Sequence, residues 1–258
     1  MTIHYDIDGP VAVVTLDRPE VANAVDRPTA EALAEAFRRF DADEDLAVAV
    51  LTGANGTFCA GADLKAMQEP EAPRASRVSP DGDGPVGPTR MLLGKPVIAA
   101  VEGHAVAGGL ELAAWCDLRV AADDAVFGVY CRRWGIPLMD GGTIRLARLL
   151  GHSHALDLIL TGRGVHGEEA LRMGLANRLV GPGESLAAAM ALAREIAEKP
   201  QAALRSDRLS SYEQWALPLD AALAHEYEHG MSTLRTGQLF SGLERYAAGE
   251  WRSGAAPD

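Results

Sequence analysis

The stretch from Glu102 to Gly128, EGHAVAGGLELAAWCDLRVAADDAVFG, decides the fold class. Just ahead of it and into its start, PVIAAVEG (96–103) is a short apolar run closed by Gly103 and reads as a strand. GGLELAAWC (108–116) then reads as a helix, and DLRVAAD (117–123) as a second short strand. Strands alternating with helices recommend an α/β core. The same stretch holds a chemical feature. Gly108 and Gly109 sit at the entry to the helix, where a ligand can approach the backbone without meeting a side chain. The first turn of a helix also offers unpaired N–H groups and a partial positive charge. Glu111 falls in that turn.

Working outward, the N-terminus reads as a hairpin. Ile3, Tyr5 and Ile7 alternate with polar residues, Asp8-Gly9 turns the chain, and VAVVTL follows. A helix begins near Asp26, with Pro28 tolerated in its first turn and Leu33, Phe37 and Phe40 on one face. LAVAVLTG (46–53) reads as a buried strand. Five of the 22 residues from Glu69 to Arg90 are Pro and three are Gly, so a long loop is expected there, of the kind that serves as a lid or stays disordered. From Gly141 the character is helical, through GGTIRLARLLG, HALDLILTG, EEALRMGLA and a long helix from about Glu184 to Lys199. Pro200 ends that helix, which divides the chain into a core of residues 1–200 and a helical region of residues 201–258. The last residues, RSGAAPD, read as frayed.

Composition narrows the possibilities. Over 258 residues, 24 Lys and Arg against 36 Asp and Glu give a net charge of −12, which argues against binding nucleic acid through its phosphates. No apolar run is long enough for a membrane span. The opening MTIHYDIDGP is acidic where a secretory leader is basic and then apolar, and three cysteines make no disulfide framework. A cytoplasmic location is therefore expected.

A second junction resembles the first. In TFCAGADLK, Thr57 to Lys65, small residues again stand just before a helix. Two N–H groups from two such junctions, aimed at one point, make an oxyanion hole for a carbonyl that gains negative charge. Glu111 beside it suits proton transfer. The bare pattern leaves a second interpretation open. Gly-Gly before a helix also serves close packing, and a Glu in a first turn also serves the helix dipole.

These segments resemble the enoyl-CoA hydratase/isomerase, or crotonase, superfamily. VAVVTLDRPEVANAV, TFCAGADLK, GHAVAGGLELAAWCDLRVAADDAVFG and GGTIRLARLLG followed by ALDLILTG recur in the family's order from about Val11 to Val180. The resemblance implies an α/β spiral of repeated ββα units with a C-terminal helical trimerisation region. It implies homotrimers, often paired into hexamers, an acyl-CoA thioester as substrate, and no cofactor beyond the coenzyme A that the substrate carries. By the same resemblance, the N–H groups of Ala62 and Gly108 hold the thioester oxygen. Ala60, Ala62, Asp63, Leu64 and Lys65 then lie near the CoA, with Asp63 structural rather than catalytic, and the loop from Glu69 borders the acyl pocket.

The family's hydratases use two glutamates to deliver the elements of water across the α,β double bond. Glu111 matches the first; Cys131 stands at the second. A thiol of ordinary pKa is mostly neutral at pH 7 and does not orient water as a carboxylate does. A thiol activated by Arg132 or Arg133 and an inert buried thiol are the two alternatives. Asp140 lies nine residues on, at a position similar to that of an acid in dienoyl-CoA isomerases and 4-chlorobenzoyl-CoA dehalogenases. It is either a second catalytic acid or the N-cap of the helix beginning at Gly141. The pair Glu111 and Asp140 fits hydration of a 2-enoyl-CoA or migration of a double bond, since both pass through a stabilised enolate. Trp134 is a candidate for the pocket wall or for packing.

Two rival readings come from other classes. His225-Glu226-Tyr227-Glu228-His229 is a literal H-E-x-x-H, which on a helix places two imidazoles on one face for a metal, with Glu226 as base and Glu244 the place to seek a third ligand. The plainer alternative is a solvated or subunit-facing helix, and no metal is expected. Cys131 also keeps alive a non-catalytic acyl-CoA binder.

Overall fold

The structure, a computed structural model, describes residues 2–69 and 71–249. Pro70 and the frayed ending expected from Arg252 lie outside them. The chain forms two compact units, Met1–Ile196 and Ala197–Asp258, so their boundary falls at the end of a helix a few residues before Pro200.

The first unit opens with the expected hairpin, β1 (Ile3–Asp8) against β2 (Val11–Leu16), antiparallel, with Ile3 opposite Leu16. Helix α1 (Arg27–Ala42) follows. Asp26 caps it by accepting from the Thr29 amide at 3.1 Å, and Pro28 sits in the first turn, where no N–H is needed. The remaining elements are β3 (Val48–Gly53), the one-turn α2 (Leu64–Met67), β4 (Val97–Val101), β5 (His104–Val106), α3 (Gly108–Trp115), β6 (Leu118–Ala122) and β7 (Val126–Gly128). Then come α4 (Gly142–Leu150), α5 (His152–Thr161), β8 (Gly164–His166), α6 (Gly167–Met173), β9 (Arg178–Val180) and α7 (Ser185–Ala197).

Two sheets result. The larger has the order β1-β2-β3-β4-β6-β9 and is parallel beyond its first pair. The smaller has the order β5-β7-β8. The chain repeatedly gives one strand to the large sheet and then steps into the small one: β4 leads to β5, and β6 leads to β7. Earlier turns make the same step with single bridges, Cys59 with Ala105 after β3 and Val25 with Ala62 after β2. This is the winding expected of repeated ββα units.

Burial explains the sequence pattern. β3 and β4 are covered on both faces, so they read as continuous apolar runs rather than alternating ones. On α1, Leu33, Phe37 and Phe40 are fully buried, each worth about 2 kcal/mol. The three-residue strands β5, β7, β8 and β9 were not legible, because three residues are too few to show a period. Among the described residues of the loop over 69–90, the regular features are a 3₁₀ turn at Pro88–Arg90 and a bridge between Gly84 and Gly87.

The second unit contains α8 (Gln201–Glu213), α9 (Leu219–Arg235) and α10 (Gln238–Ala247), with a 3₁₀ turn at Gln214–Ala216.

Candidate active site

The two glycine-rich junctions meet in the first unit. A Cβ added to Gly61 would lie 2.7 Å from the Gly108 nitrogen. One added to Gly108 would lie 3.5 Å from the Ala62 nitrogen, so the two backbone segments touch. Gly61 has a φ of +94°, a conformation that only glycine adopts cheaply. Neither the Ala62 nor the Gly108 amide donates a hydrogen bond among the described residues, whereas Gly61 donates to the Cys59 sulfur at 3.3 Å and Asp63 to the Val25 carbonyl at 2.9 Å. Ala107, which carries the peptide bond to Gly108, is held at φ +52°, ψ −123°. Such a conformation costs roughly 1–3 kcal/mol in a non-glycine residue. It is fixed by the Ala107 amide donating to Gly128 at 2.8 Å and by the Ala107 carbonyl accepting from Leu110 and Glu111.

Both junctions line one cavity of about 460 Å³. Ala60, Ala62, Asp63, Leu64 and Lys65 form one side, with Val106, Ala107, Gly108 and Glu111 beside them. Tyr130, Cys131, Trp134, Ile136, Met139 and Asp140 also line it, and the loop contributes Ser76, Val78, Pro85 and Val86. All ten residues named from the sequence for the acyl-CoA site therefore border a single space.

Glu111 is buried at 3% exposure. Its Oε1 accepts from the Asp140 amide at 2.9 Å and the Gly142 amide at 2.8 Å, at the entry to α4. A Cβ on Gly142 would stand 2.8 Å from Glu111 Cγ, so only glycine lets α4 come this near. Burial, followed by the charge of Asp140, raises the Glu111 carboxyl to about 7, against the pull of these amides. The group thus holds or releases a proton near neutrality, as an acid–base catalyst requires.

Asp140 is equally buried. It does not cap α4: Gly141 occupies that position, without a side-chain bond. Instead Asp140 Oδ1 accepts from the Thr89 hydroxyl at 2.5 Å and the Val86 amide at 3.1 Å, which pins the long loop to the cavity wall. Arg145 braces the same corner, donating to the carbonyls of Asp140 at 2.8 Å and Thr89 at 2.6 Å. Burial raises the Asp140 carboxyl despite the bonds from Thr89 and Val86. Of the two readings left open by the sequence, capping is therefore removed.

Cys131 sits in the 3₁₀ turn Tyr130–Trp134, nearly fully buried. Burial, and then the charge of Glu111, push its thiol upward; Arg132 opposes them without prevailing. It is a neutral thiol, not an activated one. Trp134 is 67% exposed, at the rim rather than in the core. Lys65 is exposed on α2.

Asp63 has a structural task. Its Oδ1 accepts from the Lys65 and Ala66 amides at 3.1 and 3.3 Å, which starts α2. Its Oδ2 meets the buried Arg18 at 2.9 Å, and Arg18 lies 3.3 Å from Asp26. Burial opposes ionisation of both acids, yet Asp63 bonded to Arg18, and Asp26 bonded to Thr29 and Arg74, are held below the usual carboxylate range. The network fixes the segment that carries the Ala62 amide. Arg18, Thr89, Val86 and Arg145 carry no sequence signal for these roles, because their partners lie far along the chain.

The comparisons with known proteins fit this architecture. The family model for enoyl-CoA hydratase/isomerase matches residues 6–250. The enoyl-CoA hydratase EchA19 of Mycobacterium tuberculosis is 34% identical over 250 residues, 93% of this chain and 91% of that protein. A carnitinyl-CoA dehydratase of Salmonella arizonae is 45% identical over 193 residues, 74% of this chain and 72% of that one. The crystal structure of the enoyl-CoA hydratase EchA1 from Mycobacterium marinum superposes with a TM-score of 0.89 at 35% identity, covering 96% of both chains. With the repeated ββα winding and the paired junctions already in view, the chain belongs to the enoyl-CoA hydratase/isomerase family and has the crotonase fold.

Proposed function

We propose that this protein adds water to a 2-enoyl-CoA, and removes it in reverse from a 3-hydroxyacyl-CoA, with Glu111 and Asp140 as its proton-carrying groups. The observation that carries this reading is the Glu111 carboxyl, raised to about 7 and anchored through Oε1 beside two uncommitted amides. In this reading the Ala62 and Gly108 amides bind the thioester oxygen. Water attacks the β-carbon, and the π electrons of the double bond move to the thioester oxygen as an enolate. Glu111 takes the proton that the water releases. The α-carbon then collects that proton from Glu111, directly or with Asp140 passing on a proton and recovering one from Glu111, and the enolate returns to a carbonyl. Each amide of such a hole is worth about 3 kcal/mol in the transition state. The name of the dehydratase relative fits the reverse direction.

A second reading rests on Cys131. With a neutral thiol where the family's hydratases have a glutamate, water has one carboxylate fewer to hold it. A single carboxyl that moves a proton between two carbons would isomerise a 3-enoyl-CoA without water. The purified protein is assayed with crotonyl-CoA, with a bulkier 2-enoyl-CoA and with a 3-enoyl-CoA. Turnover of either 2-enoyl thioester, read as loss of its conjugated absorbance, supports hydration. Turnover of the 3-enoyl thioester alone replaces hydration by isomerisation. Binding without turnover of any of the three leaves only an acyl-CoA binder.

A further inference from the structure

The H-E-x-x-H string lies in the second unit, away from the chemistry above. His225 and His229 stand one turn apart on α9, their rings edge to face with centroids 4.7 Å apart. The carboxylate they meet is neither Glu226 nor Glu244. It is Glu213, the last residue of α8: its Oε2 lies 2.5 Å from His225 Nε2 and 2.9 Å from His229 Nε2. Glu226 follows His225 directly and is exposed, so it does not share the face of the two imidazoles.

The hydrogen bonding around His229 says more. Ser206 Oγ donates to the His229 carbonyl at 3.0 Å, which uses its single proton. It therefore meets His229 Nδ1, 3.3 Å away, as an acceptor, and assigns the ring proton to Nδ1. That leaves Nε2 turned toward a carboxylate oxygen 2.9 Å away. A contact of that length is bridged either by a proton on Nε2 or by a metal ion.

We propose that Glu213, His225 and His229 form a site for a divalent transition cation of the zinc class, which clasps α8 to α9. The donor set is two imidazoles and one carboxylate, and the three donor atoms lie within 4.8 Å of one another. A tetrahedral ion at about 2.0–2.1 Å from each donor needs them roughly 3.3 Å apart, so the two contacts at Glu213 Oε2 would open from 2.5 and 2.9 Å. The side chains are 38%, 20% and 35% exposed for His225, His229 and Glu213, so an ion has an entry path and a fourth position open to water. Ser206 is the positioning residue: its bond to Nδ1 sets which ring nitrogen ligates. With Glu226 off the site, the arrangement is a clasp and not a protease centre.

The test uses the full chain without a histidine tag, stripped with a chelator. Zn²⁺ is titrated calorimetrically, and Co²⁺ is added as a spectroscopic probe. One Zn²⁺ per chain is expected, with a Co²⁺ visible spectrum of tetrahedral type and a raised melting temperature. E213Q and H229Q should each abolish stoichiometric binding, S206A should weaken it about 10–100-fold, and E226Q and E244Q should leave it unchanged. Circular dichroism of the stripped variants checks that each is folded. Absence of saturable Zn²⁺ binding to the folded parent, or equal binding by E213Q and the parent, overturns the proposal. Either result leaves the acyl-CoA reading untouched, because none of these residues borders the cavity.

Discussion

Replacing Glu111 by Gln should make the protein more stable in alkali while removing its activity. The sign follows from the raised carboxyl. Its reference value is 4.5, and in the folded chain it is about 7, through burial first and the charge of Asp140 second. Between those values the folded protein keeps a proton that the unfolded chain has released, so stability falls as pH rises through that window. Above pH 7 both states are ionised, and the folded state carries the full penalty of a buried charge. At about 1.4 kcal/mol per pKa unit, the penalty is about 3 kcal/mol. Glutamine keeps an acceptor for the Asp140 and Gly142 amides and never ionises. E111Q and the parent should therefore unfold alike near pH 4. At pH 8.5 the variant should be more stable by about 3 kcal/mol, or roughly 6–12 °C in Tm for a domain of this size. Turnover should fall at least about 10²-fold if Glu111 transfers protons. The assays are urea unfolding at both pH values and thioester turnover. A stability difference that does not change with pH would refute the electrostatic reasoning.

Other perturbations probe the parts separately. G142A places a Cβ 2.8 Å from Glu111 Cγ, so kcat should fall about 10²-fold with little change in KM, in steady-state kinetics. D140N keeps an oxygen for the Thr89 and Val86 donors; a Tm no lower than the parent's with turnover lowered about 10²-fold or more would mark Asp140 as a proton carrier, and unchanged turnover would return it to holding the loop. C131A should keep kcat within about threefold, because a neutral thiol moves no proton at pH 7. R18M strips the central cation from two buried acids and should lower unfolding free energy by about 3–5 kcal/mol in urea titrations.

What the sequence disclosed follows from the range of the interactions involved. The junction at Gly108-Gly109 and the helix carrying Glu111 were legible because small residues, helix period and acid lie within four positions. The core strands were legible because burial on both faces writes unbroken apolar runs such as VIAAV. Asp140 was only half legible. Its neighbours in the chain suggest a cap, but its partners Thr89 and Val86 stand 51 and 54 residues away, and no spacing encodes them. The partner of the histidine pair was missed for a similar reason. Glu213 reaches His225 and His229 through the packing of α8 against α9, whereas the motif directs attention forward, toward Glu244.

The proposed hydration requires a thioester oxygen gripped by the free amides of Ala62 and Gly108. A crystal structure with a bound acyl-CoA measures this directly. The oxygen should lie about 2.7–3.1 Å from both nitrogens, with the Glu111 carboxyl facing the α- and β-carbons. A thioester oxygen bound elsewhere, or bonded to neither amide while the CoA occupies the cavity, would contradict it.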